Sequence, residues 1–449
     1  MITFPEDVTS LIQALNARGH EAYAVGGCVR DSLLGIEPND WDLTTGASPK
    51  EIAECFQSER ISDIGFVHGT ITVYKNGIPY EITAYRKDGE YTDHRRPDRV
   101  EFVKELSLDL ARRDFTINAM ACHPETGIVD LFSGLDDLKN GVIRTVGDPE
   151  KRFREDSLRI LRAIRFASAY GFVLEENTRK SAIRLADSVN IVSPERILIE
   201  IKRMLTGKGI ESVLTQYSEI IFSVFPELSP MRDFPQNTPH HAYDVWTHTA
   251  KAVSGAPNDE ISRLTMLFHD SGKPHMHTVD AMGVSHFRGH PAVSVQIAEK
   301  ALARLKCDKN TLNRVLKLVS EHEIRIPAER KSVRREMARL GKDVFSSLLP
   351  LLRADFSGQN PAMHPQKYAY ADQLEAQYHQ AISEGAVTDI HDLDINGNDL
   401  KAAGLRGSEI GLVLHALFAL VLSEEIENRK SALMSRVEEI RKNISQPGH

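Results

Sequence analysis

Asp40 and Asp42, which flank Trp41, are the first side chains in this 449-residue sequence whose types and spacing can do chemistry. On an extended segment side chains alternate between faces, so both carboxylates fall on one side. Two such carboxylates chelate a hard divalent cation, Mg²⁺ above all, through oxygen. A pair of cations held there activates an attacking hydroxyl and steadies a leaving oxygen in an in-line displacement. Glu81, on a second extended run, supplies a third carboxylate. Asp-x-Asp alone is common in surface turns, but the residues before it change the reading. Ala22 to Val25 reads as a buried strand, Gly26-Gly27 as a turn, and Val29 to Leu34 as a helix. Backbone amides at such a turn approach a phosphate closely. Arg30 lies three residues on and carries a planar fork of donors suited to the same phosphate. No GxxxxGK[ST] occurs, which excludes a P-loop.

A second cluster lies mid-chain. Eight of the eighteen histidines fall between His240 and His290, a density that argues against random placement. Neutral imidazole together with carboxylate suits divalent metals. His248, then His269-Asp270 in MLFHDSGKP, then Asp355 in LLRADFSG resemble the H…HD…D signature of an HD domain. A metal held there lowers the pKa of bound water and supports phosphoester hydrolysis. The metal's identity is open. His286, His290 and His322 extend the set toward a second ion, while His240, His241, His275 and His277 read as ordinary histidines. A degenerate HD domain kept as a structural module is the alternative.

The elements that must position these groups change character along the chain. Residues 1–142 mix strand and helix signals: Trp41 to Thr45 reads as a strand, and Thr70 to Tyr74 with Tyr80 to Tyr85 reads as a hairpin around Asn76-Gly77. From Arg152 onward the period is helical, with Leu158, Leu161 and Ile164, then Ile197, Ile201 and Met204 at helical spacing. Pro230 to Pro239 reads as a linker. The expected class is α+β: a small mixed or antiparallel sheet in a head (1–142), then a mostly helical body of neck (143–235), HD domain (236–360) and tail (361–449).

Composition sets the outer limits. Hydrophobic residues make up 41% and charged residues 26%, which is ordinary for globular chains. No apolar run approaches the roughly 20 residues of a membrane helix. The start MITFPEDVTS has neither the basic end nor the apolar core of a secretory signal, and the four dispersed cysteines form no CxxC, so a cytoplasmic location is expected. Net charge is −8, yet residues 151–210 carry thirteen Lys and Arg against seven Asp and Glu, a balance of +6. That basic segment reads as a local phosphate-binding surface or as a solvated helical face.

The motifs then become specific. AVGGCVRDSLLG followed by DWDLTTGA resembles the head of the class II tRNA nucleotidyltransferases, the CCA-adding branch of the DNA polymerase β superfamily. DGEYTDHRRPDRVEFV (88–103) resembles that family's flexible loop, LARRDFTINAMA (110–121) its third motif, and REDSLRILRAIRFA (154–167) with SPERILIEIKRML (193–205) the motifs of its neck. The resemblance implies that Asp156 and Arg159 read the base, that Arg113 contacts the nucleotide, and that Arg162 and Arg165 belong to the same site, at the triphosphate. Taken as helical, Asp156 and Arg159 share a face at i, i+3. A carboxylate accepts and a guanidinium donates. Cytosine and adenine both present an amine beside a ring-nitrogen acceptor; uracil and guanine present the reverse. On charge alone the same pair is an i, i+3 salt bridge, and Arg112-Arg113-Asp114 a solvated turn in which Asp114 can orient an arginine.

The resemblance implies template-independent addition of CCA to the 3′ end of tRNA from CTP and ATP, with Mg²⁺ on Asp40 and Asp42 and release of pyrophosphate. The expected partners are the tRNA acceptor arm and the two nucleotides, with neither DNA nor membrane. A poly(A) polymerase or A-adding enzyme of the same family, HD-type phosphoester hydrolysis as the main activity, and a non-catalytic RNA-binding module are the alternatives.

Overall fold

The computed structural model describes residues 2–89 and 100–445. The loop expected at 88–103 lies largely outside the described residues. The architecture is α+β, in two compact units: Met1–Pro226 with Arg304–Cys307, and Glu227–Ala303 with Asp308–His449. Among the described residues no helix is long and apolar enough to cross a membrane, and the four cysteines are unbonded thiols.

The first unit opens on helix α1 (Glu6–Asn16), whose Val8, Leu11, Ile12 and Leu15 are buried at helical spacing. The sheet beside it holds β1 (Ala22–Val25), β2 (Leu43–Thr45), β3 (Arg60–Ser62), β4 (Thr70–Lys75), β5 (Ile78–Ala84), β6 (Met120–His123) and β7 (Gly127–Asp130), in the order β3-β4-β5-β2-β1-β6-β7. Every pair is antiparallel except β2 with β5, which is parallel. The β4–β5 hairpin turns at Asn76 and Gly77, both at positive φ (51° and 83°), as a two-residue turn of primed type requires. Helix α2 (Gly27–Leu33) follows β1 directly, and α3 (Leu106–Ala111) precedes β6.

The strand expected from Trp41 begins two residues later, at Leu43. Trp41 turns inward against Phe4, with ring centroids 5.3 Å apart, and so leaves the ladder. The alternation survives: Trp41 and Leu43 are buried, while Asp40 and Asp42 are exposed, and the Val25 N–H still donates to the Asp42 carbonyl at 3.0 Å.

Below the sheet come α4 (Pro149–Glu155), α5 (Leu158–Tyr170) and α6 (Pro194–Leu205). Asp148 caps α4 by accepting from the Lys151 N–H at 2.7 Å, with Pro149 in the first turn. Helices α5 and α6 pack together. At Gly207 a Cβ would come within 2.3 Å of Ser168 Oγ, so only glycine allows that approach.

In the second unit the elements that matter are α7 (Val245–Gly255), α8 (Glu260–Phe268), α9 (His290–Arg304), α10 (Lys309–Glu321), α11 (Lys342–Ser357) and α12 (His364–Ser383). The stretch expected as a loose linker is not loose at its C-terminal end. Gln236 is buried and accepts from Lys273 Nζ at 2.9 Å, because a buried ammonium needs an acceptor.

Candidate active site

The parallel pairing of β2 with β5 sets Leu43 opposite Ile82. Asp42 and Glu81 are one residue earlier on the two chains, both on the solvent face, with Asp40 two residues before Asp42. Burial in the cleft, then the charges of Asp40 and Glu81, push the Asp42 carboxyl up to about 6, with Arg113 opposing. The residue keeps solvent access. The charges of Asp40 and Glu81 both act on Asp42; a divalent cation relieves such repulsion, and an all-oxygen donor set suits Mg²⁺.

Beside these carboxylates lies the Gly26-Gly27 turn. Gly26 has φ +79°, and a Cβ there would sit 3.0 Å from Arg113 Nη1. The arginine therefore lies directly on the turn. Its Nη2 donates to Asp109 Oδ2 at 3.2 Å. Asp109, fully buried on α3, also accepts from Arg112 Nη2 at 2.7 Å and from Thr44 Oγ1 on β2 at 3.2 Å. One carboxylate thus fixes two arginines to the strand that follows Asp42. The sequence reading missed Asp109; its i, i+3 and i, i+4 relation to Arg112 and Arg113 is the signal that reveals it.

Arg30 does not offer its fork as expected. The guanidinium lies against the stacked Phe166 and Tyr170 rings of α5, 5.0 Å from each centroid. It donates to Asn118 Oδ1 and, at 2.9 Å, to Asp31. Aromatic faces from a helix distant in sequence have captured it.

Arg112, Arg113, Asp114, Asp156, Leu158, Arg159, Arg162 and Arg196 line one cavity of about 280 Å³. Asp114 is buried. Burial alone would raise its pKa, but Arg162, at 2.8 and 2.6 Å from Oδ2, and the Asn118 amide hold it well below the usual carboxylate range. Asp156 is not helical as expected. It sits between α4 and α5 with φ −142°, because its Oδ1 accepts from the Leu158 N–H at 3.0 Å and so caps the start of α5. Its Oδ2 accepts from Arg196 Nη2 at 3.2 Å. Arg159 donates to Glu155 Oε2 at 2.6 Å and to the Arg152 carbonyl at 3.1 Å. Arg165 is absent from the lining. It pairs with Glu200 at 2.5 Å and lies 4.0 Å over the Phe166 ring. Each step of three along a helix falls about 60° short of a full turn, so Arg165 has rotated roughly 120° from Arg159.

The second unit holds the histidine cluster. His248 Nε2 lies 3.1 Å from His269 Nε2, 3.1 Å from Asp270 Oδ2 and 3.1 Å from Asp355 Oδ1. On the other side, His290 Nε2 lies 3.1 Å from Asp270 Oδ1 and 3.2 Å from His322 Nε2. Asp270 therefore belongs to two sets, His248–His269–Asp270 and Asp270–His290–His322, all buried. Each imidazole has Nδ1 against a backbone carbonyl: His248 on Gly358, His269 on Met266, His290 on Phe287 and His322 on Val319, at 2.7–2.9 Å. With Nδ1 donating there, every Nε2 lone pair turns inward, as in ligands oriented by backbone partners. Asp270 Oδ2 is buried with no well-aligned donor, although Lys273 Nζ is 2.7 Å away. Burial pushes His269 down, but the Asp270 and Asp355 carboxylates outweigh it and raise it to about 10. His286 does not join either set; it faces Asp280 at 2.8 Å and lies on the wall of the adjoining cavity, about 900 Å³. His241 is closer than expected, its ring 5.0 Å from that of His248.

Residues 22–144 match a family model described as the poly A polymerase head domain, 171–231 one described as a probable RNA and SrmB-binding site of polymerase A, and 292–437 one described as a putative tRNA nucleotidyltransferase domain 2. The CCA-adding enzyme of Pediococcus pentosaceus is 31% identical over 97% of this chain and 98% of its own. That of Oceanobacillus iheyensis is 46% identical over 45% of this chain and 50% of its own. The crystal structure of the Bacillus stearothermophilus CCA-adding enzyme in complex with CTP has a TM-score of 0.69 at 26% identity, covering 98% of this chain and 100% of that one. The Thermotoga maritima CCA-adding enzyme complexed with tRNA_CCA shares the fold, with a TM-score of 0.61 at 20% identity over 99% of this chain and 97% of that one.

Proposed function

The chain belongs to the CCA-adding enzyme family of tRNA nucleotidyltransferases, and from that premise we propose how its own residues carry out the reaction. The protein adds the 3′-terminal CCA to tRNA from CTP and ATP without a nucleic-acid template. The tRNA 3′-hydroxyl bonds to the α-phosphorus, the bond from that phosphorus to the bridging oxygen breaks, and pyrophosphate leaves. Asp40 and Asp42, with Glu81 beside them, hold divalent metal, which we take to be Mg²⁺; when bound it supplies the positive charge that activates the hydroxyl and neutralises the triphosphate. Arg113, on the Gly26-Gly27 turn, and Arg162 receive the phosphates. Asp156 accepts from the exocyclic amine of cytosine or adenine, and Arg159 donates to the neighbouring ring nitrogen. UTP and GTP leave both groups facing like partners, the kind of mismatch that gives strong discrimination. We assign Arg30 and Arg165 to holding the helices around this site.

The observation that supports this most is the single cavity lined by Asp156, Arg159, Arg113 and Arg162, with the Asp42 face coupled to it through Arg113. The reading divides the chain into head (1–142), neck (143–235), histidine-rich domain (236–360) and tail (361–449), with neck and tail gripping the acceptor arm by shape and phosphate. It assigns a cytoplasmic setting, completion of the final A to the loop around residues 88–95, and neither DNA nor membrane as partner. Incubating tRNA lacking CCA with labelled CTP and ATP, singly and together, and sequencing the 3′ ends tests it. C-C with CTP alone and C-C-A with both is expected; a homopolymeric A tail would establish the poly(A) polymerase reading instead. Asp42→Ala is expected to abolish both additions.

A second activity is favoured by the paired ligand sets sharing Asp270. We propose an HD-type metal-dependent phosphoesterase there, acting on 2′,3′-cyclic nucleotides or phosphomonoesters, with His248, His269, Asp270 and Asp355 around one metal and Asp270, His290 and His322 around the other. Hydrolysis abolished by His269→Ala but not by Asp42→Ala is the expected separation.

A further inference from the structure

Asp156 lies outside both neighbouring helices, so no helical backbone fixes its side chain. Two contacts do so instead. Oδ1 accepts from the Leu158 N–H at 3.0 Å, and Oδ2 accepts from Arg196 Nη2 at 3.2 Å. Arg196 comes from the first turn of α6, a different helix, and lines the same cavity. Arg159 is braced separately, by Glu155 at 2.6 Å.

The chemistry of the base edges gives that brace a consequence. Cytosine presents an amine, then a ring acceptor, then a carbonyl. Uracil presents a carbonyl, then an N–H, then a carbonyl. Slid by one atom along its edge, uracil therefore offers a donor followed by an acceptor, the same order as cytosine. An acceptor–donor pair free to move by one position would take it. Guanine slid the same way offers its N–H followed by an amine, so it would meet the guanidinium with a second donor. Type of group alone does not exclude UTP; the fixed position of the acceptor does. Each carboxylate oxygen has two lone pairs, so Oδ2 can keep Arg196 and still receive a base amine.

We infer that Arg196 is a positioning residue for base selection, holding the Asp156 carboxylate so that uracil cannot bind one atom out of register. The inference rests on the proposed base reading by Asp156 and Arg159. It is tested with tRNA ending before the first C, by measuring kcat/KM for CTP, UTP and GTP on the native enzyme, Arg196→Ala, Arg196→Lys and Asp156→Ala. In Arg196→Ala the CTP/UTP ratio is expected to fall about tenfold, the scale of one lost charged hydrogen bond. The CTP/GTP ratio should stay within about threefold of native, well short of that loss. Arg196→Lys, which keeps the charge and a donor, should recover most of the UTP discrimination. Should Arg196→Ala fold poorly by thermal melting, Arg196→Met gives the same reading, since it keeps most of the side-chain length and loses both the charge and the donor. An equal loss for CTP and UTP in Arg196→Ala, with Asp156→Ala lowering the ratio, overturns the inference and leaves the base reading standing. Unchanged ratios in both variants overturn the base reading itself. Equal gains by UTP and GTP in Arg196→Ala overturn the register argument.

Discussion

Replacing Asp114 by Asn removes one charge and almost no volume, yet it should be among the most damaging changes in the first unit. Both Asp114 oxygens face donors only: Oδ2 receives Arg162 at 2.8 and 2.6 Å, and Oδ1 receives the Phe115 N–H at 2.8 Å and the Asn118 amide at 3.1 Å. Either orientation of an Asn amide sets its NH₂ against two of these donors. Breaking a buried ion pair from one side costs about 3–5 kcal/mol. Arg162 keeps 34% of its side chain exposed, which reduces the expectation to about 2–4 kcal/mol. At roughly 2–4 °C per kcal/mol for a unit of this size, the first melting transition should fall by roughly 5–15 °C. Asp114 is held below its ordinary value, so this stabilisation is present above the ordinary carboxylate pKa of 3.8 and is lost only as pH falls further. The penalty should therefore be constant from about pH 5 upward. Arg162 lines the nucleotide cavity, so the KM for CTP should rise as well. Scanning calorimetry and steady-state kinetics read both effects. A melting point within about 2 °C of native at pH 7, together with an unchanged KM, would refute the argument that Asp114 sets Arg162. The double variant Asp114→Asn with Arg162→Met should regain only the part of the loss due to the stranded guanidinium, since the amide still opposes one set of donors, and it should not regain nucleotide affinity.

Other outcomes follow from the same geometry. Asp42 is raised to about 6 in the fold against 3.8 unfolded, so its ionised form opposes folding; Asp42→Asn should melt higher than native above pH 6 without metal, and the gain should vanish as pH falls toward 3.8. A gain independent of pH would refute the carboxylate crowding. With the head site removed by Asp42→Ala, titration with Mn²⁺ should show two ions per chain that a further Asp270→Ala abolishes together, while His290→Ala removes one; a variant lacking Asp270 that still binds both would refute the shared ligand.

The carboxylate triad was legible because period-two alternation survives even where the ladder does not. Asp40 and Asp42 point outward although the strand begins only at Leu43. Asp156 was misread because REDSLRILRAIRFA is helical in pattern on both sides of it, and a side-chain cap breaks a helix without changing that pattern. Arg30 was misread for a different reason. Nothing within the Gly26-Gly27 segment announces that two rings from α5 will close over its guanidinium. Arg165 shows the limit of spacing: a run of arginines at three-residue intervals is a spiral, and only part of it faces one cavity. The second histidine set was partly visible; what the sequence could not show is that His290 and His322 meet across two helices while His286 turns to Asp280.

The lone parallel pair in the sheet bears on how the protein comes into being. Antiparallel neighbours close through a short turn, but β2 reaches β5 only after the chain has gone out through β3 and returned through β4. On the other side of β2, β1 is completed only when β6 pairs with it, Val25 meeting Ala121. Such distant pairings form late, because the entropy of closing long loops must be overcome before the contacts reward it. During synthesis, then, Asp42 emerges well before Glu81, and Arg113 before the strand that anchors the other side of the Gly26 turn. A nascent chain shorter than about 120 residues holds the three carboxylates and Arg113 without the finished sheet, so its affinity for divalent ions should rise as β6 leaves the ribosome, and its affinity for nucleotide only once α5 and α6 bring Asp156, Arg162 and Arg196 to the same cavity.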